Sequence, residues 1–309
     1  MTHDASILTA LALAAPLFLA PPAAASTPTE RCPDASAPGT LTVQAGGLDR
    51  EVLLLRPDSV APGAPLVFVY HGLFADPEGM VPRLGLEALA RDQGAVVVVP
   101  RSHPAATWAW GARGPSGERW GADLALFDRV VGCLERDLGI DGDGVVVAGF
   151  SAGAIWTSAL VAQRSEVVSS VVQLSGGLLP PVLPWRSPTR PVSALLAWGG
   201  PTDVVLGGPV PVSFRRTSQQ LSRTLRRDGH AVVHCVHREG HAIPPEAAPP
   251  AGGLGGGRCE PRRPLAGLRA AALVSGRGDV HPRARRRGRG RGPPAGGRGA
   301  RHPPRGGRP

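Results

Sequence analysis

The chain carries a serine between two glycines, in Gly149-Phe150-Ser151-Ala152-Gly153, and a carboxylate and an imidazole that follow it in an order able to activate a hydroxyl. The apolar run 145–148 precedes the serine and the helix-like run 154–162 follows it. Strand, sharp turn and helix form the setting of a nucleophile elbow, in which a strained backbone lifts the hydroxyl clear of a sheet. With 42 glycines in 309 residues, the five-residue pattern alone is weak, so the setting carries the reading.

A serine hydroxyl is a poor nucleophile at neutral pH and needs a base, itself oriented by an acid. Asp203 lies just after the apolar run 193–198, 52 residues past Ser151. His241 lies a further 38 residues on, in Gly240-His241-Ala242-Ile243-Pro244, after the run 231–235. Loops at the carboxyl ends of parallel strands are where such sheets place chemistry. The rival acid, Asp228, sits in an Asp-Gly pair that reads as a helix end. The rival bases are His237 and His234, the latter read as a facing residue on a strand. His241 is favoured because Gly240 and the proline after it make an exposed loop. The bland alternative for Asp203 is a turn former after Pro-Thr.

Attack on a carbonyl creates an oxyanion that needs amide donors. The Ala152 N–H is one candidate. The second is Leu73, after His71-Gly72 at the end of the run 65–70, with Phe74 next in order. Each donor is worth about 2.7–4 kcal/mol in the transition state. Trp108 and Trp110, in the long stretch 101–120 that also holds Trp120, are candidates to line an acyl or aryl pocket; the alternative is packing of that loop onto the body. This chemistry requires no cofactor and no metal. None of Cys32, Cys133, Cys235 and Cys259 forms a Cys-x-x-Cys pair, which argues against structural zinc.

The elements that would position these groups alternate. Strands are expected over 41–44, 51–56, 65–70, 95–99, 145–148, 171–174, 193–198 and 231–235. Helices are expected over 80–93, 124–138 and 214–227. Leu124, Phe127, Val131, Leu134 and Leu138 are spaced 3, 4, 3 and 4, one apolar stripe. Continuous apolar runs suit strands buried on both faces, and their alternation with helices predicts an α/β fold with a mostly parallel sheet.

His71-Gly72 after a strand, Gly-Phe-Ser-Ala-Gly, Gly-x-x-Asp-Val and Gly-His-x-x-Pro together resemble the exported α/β-hydrolases of the polyhydroxybutyrate depolymerase and feruloyl esterase group. The resemblance covers residues 50–246. It implies a central sheet flanked by helices and a serine esterase working through an acyl-enzyme. By it Ser151 is the nucleophile, His241 the base and Asp203 its partner. Ala154 stands where many relatives have a second glycine, and the closing helix usual after the histidine is replaced by an arginine–glycine stretch. The alternatives are a catalytically inactive hydrolase fold that serves as a binding module, and a binder of nucleic acid or anionic surfaces acting through that stretch.

Charge divides the chain. Residues 251–309 hold 15 arginines against Glu260 and Asp279, about +13, whereas the remainder has 19 arginines against 22 acids, about −3. The basic balance therefore belongs to the tail, and the near-neutral body suggests no polyanionic partner. Of those 59 tail residues 47 are Gly, Arg, Pro or Ala, a composition expected to be disordered apart from a short helix near 265–274, or to be an out-of-frame read of GC-rich DNA. The start reads as a signal peptide over 1–25, with an apolar stretch 7–20 and a small-residue cleavage site before Ser26. Residues 26–40 are a lead-in linker, 41–246 the hydrolase domain and 247–309 the tail. The expectation is a secreted or periplasmic monomer with a small-molecule or polymeric ester substrate, no nucleic acid and no stable membrane association. Disulfides are expected, without an assignable pairing.

Overall fold

The computed structural model describes residues 32–103, 118–179, 185–206, 211–244 and 258–260, the backbone alone for 118–120 and 258–260. Among these, nine strands form one sheet in the order β1-β2-β4-β3-β5-β6-β7-β10-β11. The antiparallel edge is β1 (Gly39–Ala45) and β2 (Leu48–Leu55), a hairpin that joins β4 (Val96–Pro100). From β4 through β3 (Leu66–Tyr70), β5 (Val145–Phe150), β6 (Val168–Leu174), β7 (Ser193–Trp198) and β10 (Ala231–Val236), every pairing is parallel. The short β11 (Arg258–Glu260) returns antiparallel along β10.

The continuous apolar runs occupy the centre because only there are both faces covered. All five residues of β3 and of β4 are buried. Their side chains alternate between two cores. Leu66, Phe68 and Tyr70 join Phe127, Trp156 and Leu160 on one face, and Val67 and Val69 join Met80, Leu84 and Leu86 on the other. Each fully buried Val or Leu contributes about 1.5–3 kcal/mol relative to exposure. The first core is covered by α3 (Glu118–Leu138), α4 (Ala152–Gln163) and α5 (Phe214–Arg227), the second by α1 (Pro77–Leu84) and α2 (Leu86–Gln93). Residues 153–162 of α4 are all buried, so it is a helix without a solvent face.

Three expectations change. The tail expected to be disordered from residue 247 contributes β11, paired with β10. The helix expected over 80–93 is two helices, because Gly85 turns left-handed at φ 59° and its N–H caps the carbonyls of Val81 and Pro82. The apolar period runs through that break and hid it. The loop expected over 101–120 ends earlier, since α3 begins at Glu118 and takes in Trp120. Trp108, Trp110, the signal segment and the arginine–glycine stretch past residue 260 lie outside the described residues. Cys32 and Cys133 form a disulfide, and Cys235 is disulfide-bonded as well, its backbone paired across the sheet with that of Cys259. Among the described residues no helix is long and apolar enough to cross a membrane.

Candidate active site

The site lies at the carboxyl ends of β3, β5, β6, β7 and β10. At the elbow, Ser151 has φ 54° and ψ −118°, a conformation costly for any residue with a side chain. The surrounding close packing over-determines it. A Cβ on Gly149 would stand 2.5 Å from the Gly153 carbonyl carbon, and one on Gly153 would stand 2.2 Å from the Tyr70 carbonyl oxygen. Only glycine at both positions lets α4 start so close to β3 and β5. The Ser151 N–H donates to Leu174 at 3.0 Å, tying the turn to β6.

Ser151 and His241 lie ninety residues apart in the chain and meet in space. His241 Nε2 is 2.9 Å from Ser151 Oγ, and His241 Nδ1 is 2.8 Å from Asp203 Oδ1. A carboxylate only accepts, so Nδ1 carries the proton and Nε2 accepts from the serine hydroxyl. Asp203 is fully buried, whereas the His241 side chain keeps 22% of its exposure. The other Asp203 oxygen, Oδ2, accepts from the Gly199 N–H at 2.9 Å and from the Ser175 hydroxyl at 2.8 Å. A two-stranded ribbon, β8 (Val204–Val205) with β9 (Val212–Ser213), carries the acid loop, and the Phe214 N–H donates to the Asp203 carbonyl. The imidazole is gripped between two rings, with centroids 5.0 Å from Phe150 and 4.5 Å from Phe214, both stacked.

The loop after β3 runs beside the serine. A Cβ on Gly72 would sit 3.3 Å from Ser151 Cβ. The buried His71 ring bridges two loops, accepting from the Ser102 N–H at Nε2 (3.2 Å) and donating from Nδ1 to the Gly72 carbonyl (2.8 Å). Burial pushes His71 below its ordinary 6.5, which favours this neutral form. Ala152 opens α4, so its N–H is one of the helix-start amides without an intrahelical acceptor. A cleft of about 390 Å³ opens here, lined by Leu73, Phe74, Arg83, Phe150, Ser151 and His241 among others. Phe74 stands at its mouth, 95% exposed and left-handed at φ 62°.

The rivals are elsewhere. His234 lies tilted against the Trp198 ring at 5.6 Å, and the buried His237 accepts from the Glu239 N–H. Asp228 ends α5 and bonds Arg227 and Ser187. The sequence reading missed Phe150, Phe214, Ser175 and the His71 ring as parts of this constellation. Phe150 lay inside the elbow motif, but nothing in the chain signals that its ring meets residue 241.

Comparison with solved structures decides the fold. The native structure of pOPH covers 70% of this chain and 85% of its own, at a TM-score of 0.57 and 18% identity. The chain has the α/β-hydrolase fold. A protein named probable feruloyl esterase C of Aspergillus flavus is 32% identical over 139 residues, 42% of this chain and 48% of its own length. A bifunctional acetylxylan esterase/xylanase of Neocallimastix patriciarum is 26% identical over 159 residues, 52% of this chain and 22% of its own. The chain thus spans less than half the length of these esterase-named relatives. No family model matches it.

Proposed function

We propose that this α/β-hydrolase is a secreted serine esterase that cleaves carboxylic esters through Ser151, His241 and Asp203. One observation carries the reading: the unbroken hydrogen-bond chain from Ser151 Oγ through the imidazole to a fully buried carboxylate, at the rim of an open cleft. The esterase names of the sequence relatives support the bond type. The Cys32–Cys133 disulfide supports an oxidising compartment, in keeping with the signal-like start.

In this mechanism Ser151 Oγ attacks the ester carbonyl carbon while its proton passes to His241 Nε2. Asp203 holds Nδ1–H and stabilises the imidazolium. The oxyanion is held by the amides of Ala152 and Leu73. The Gly72 carbonyl accepts from His71 and from the Ala75 N–H, and a trans peptide directs the Leu73 N–H the opposite way, off His71. Collapse breaks the carbon–oxygen bond, and His241 returns the proton to the leaving alcohol. Water, deprotonated by His241, then attacks the acyl-enzyme and releases the acid and free serine. No step calls for a cofactor.

The exposed ring of Phe74 offers a flat apolar face to a bulky acyl or alcohol group. Phe74→Ala is expected to raise KM for aryl esters such as methyl ferulate several-fold, about the loss of one ring contact, while p-nitrophenyl acetate is cleaved as before. Steady-state kinetics on the two substrates check this; equal effects on both contradict it. The function itself is tested with p-nitrophenyl acetate and butyrate on wild type and Ser151→Ala. The variant is expected to lose activity; equal rates remove Ser151 from the mechanism.

A further inference from the structure

We infer that Ser175 is a positioning residue of this site, its hydroxyl holding the Asp203 carboxylate in the attitude that serves His241. The inference rests on the triad reading above and adds a fourth side chain to it. Ser175 follows β6 directly, is fully buried, and donates to Asp203 Oδ2 at 2.8 Å. With the Gly199 N–H on the same oxygen, Oδ1 is left to the imidazole. Donors on one oxygen and the ring on the other fix the carboxylate's rotation about its own bond to the chain. Gly199 lies four residues from Asp203, so its bond is local to the loop. Ser175 lies 28 residues away and ties the carboxylate to the end of β6 as well.

The backbone gives a second, independent sign. Ser175 has φ 53°, the left-handed region that glycine takes without strain and serine does not. A glycine would relax the turn and delete the hydroxyl; the serine keeps both the strain and the bond. The turn does not depend on the side chain, because the Ser175 N–H separately donates to the Ala197 carbonyl at 2.7 Å. Strain kept at a buried serine whose hydroxyl reaches the acid is strain in the service of the site. The titratable groups in this chain of contacts are Asp203, which accepts from Ser175, and His241, 2.8 Å from the other carboxylate oxygen.

Two variants separate positioning from structure. Ser175→Gly and Ser175→Ala both lose the hydroxyl, but only glycine relieves φ. Both are expected to lose kcat/KM for p-nitrophenyl acetate about 10- to 100-fold, chiefly in kcat and by similar factors. A buried carboxylate with one donor fewer binds a proton, or holds its imidazolium partner, more readily. The fall of kcat/KM on acidification should therefore begin at higher pH in both. The Tm of the glycine variant should exceed that of the alanine variant. If the alanine variant is unfolded at assay temperature, the glycine variant carries the kinetic comparison. Activity that follows Tm between the variants with an unmoved acid limb overturns the inference, as does wild-type kcat/KM in both. Ser151→Ala is run beside them. Wild-type activity there sinks the triad reading itself, whereas an inactive Ser151→Ala beside fully active Ser175 variants sinks only the role of Ser175.

Discussion

A residue at this site is defined by what holds it. Asp203→Asn tests the orientation of His241: an amide can donate to Nδ1, which moves the ring proton to Nε2 and deprives the serine of its base. A fall in kcat of about 10⁴-fold is expected, measured on p-nitrophenyl butyrate with the variant shown folded. His71 tests burial. Its folded form resists protonation because its ring is out of water, while the unfolded chain protonates near 6.5. Unfolding therefore takes up protons in the window below that value, and stability rises with pH across it. The contribution of His71 is fully present above 6.5 and is lost on acidification toward its lowered folded value. Urea midpoints below pH 6.5 should depend less on pH in His71→Asn than in wild type; an unchanged slope contradicts this. Motif and strand-end position were enough to single out Ser151, Asp203 and His241 along the chain, and the structure brings those three side chains together. The grip of Phe150 and Phe214 on the imidazole was not legible, because stacking of residues so far apart in sequence has no local signature.

At the scale of elements, the site depends on loops that approach more closely than side chains allow. A Cβ on Gly199 would lie 1.8 Å from the Gly240 carbonyl oxygen, so the acid loop and the histidine loop touch backbone to backbone. Gly199→Ala must push Gly240, and His241 after it, away from Ser151. Its expected outcome is a folded protein destabilised by about 1–3 kcal/mol. Its kcat should fall at least tenfold, roughly what a small misplacement of a catalytic group costs. Denaturant unfolding and kinetics on the same sample check this, and wild-type kcat contradicts it. Elements with one strong local signal were legible to the residue: β7 over Ser193–Trp198, and α5 over Phe214–Arg227, where the polar face alternates with Phe214, Leu221 and Leu225. The break at Gly85 was not, because a glycine amid a continuing apolar period reads as a tolerated helix residue until its φ is known.

For the whole molecule, the parallel sheet brings five strand ends to one rim, and a covalent link secures the first helical face. The disulfide joins Cys32, ahead of β1, to Cys133 in α3, 101 residues apart. Closing so long a loop restricts the unfolded chain, so Cys133→Ser is expected to lower stability by about 2–4 kcal/mol. Urea unfolding checks it, with little change in kcat expected for the folded fraction, since the link lies on the core beneath the hairpin and not in the cleft. An unaltered midpoint contradicts it. The chain's net positive charge lies in the tail and says nothing of the body's chemistry, which is why composition alone was a poor guide to function.

The most direct test of the account is covalent labelling of the purified protein with a fluorophosphonate, with the modified peptide mapped, on wild type and His241→Ala. The account predicts a single adduct on Ser151 in wild type and a rate of labelling lowered by orders of magnitude once the imidazole is gone. An adduct on another residue, or undiminished labelling of Ser151 without His241, would contradict it.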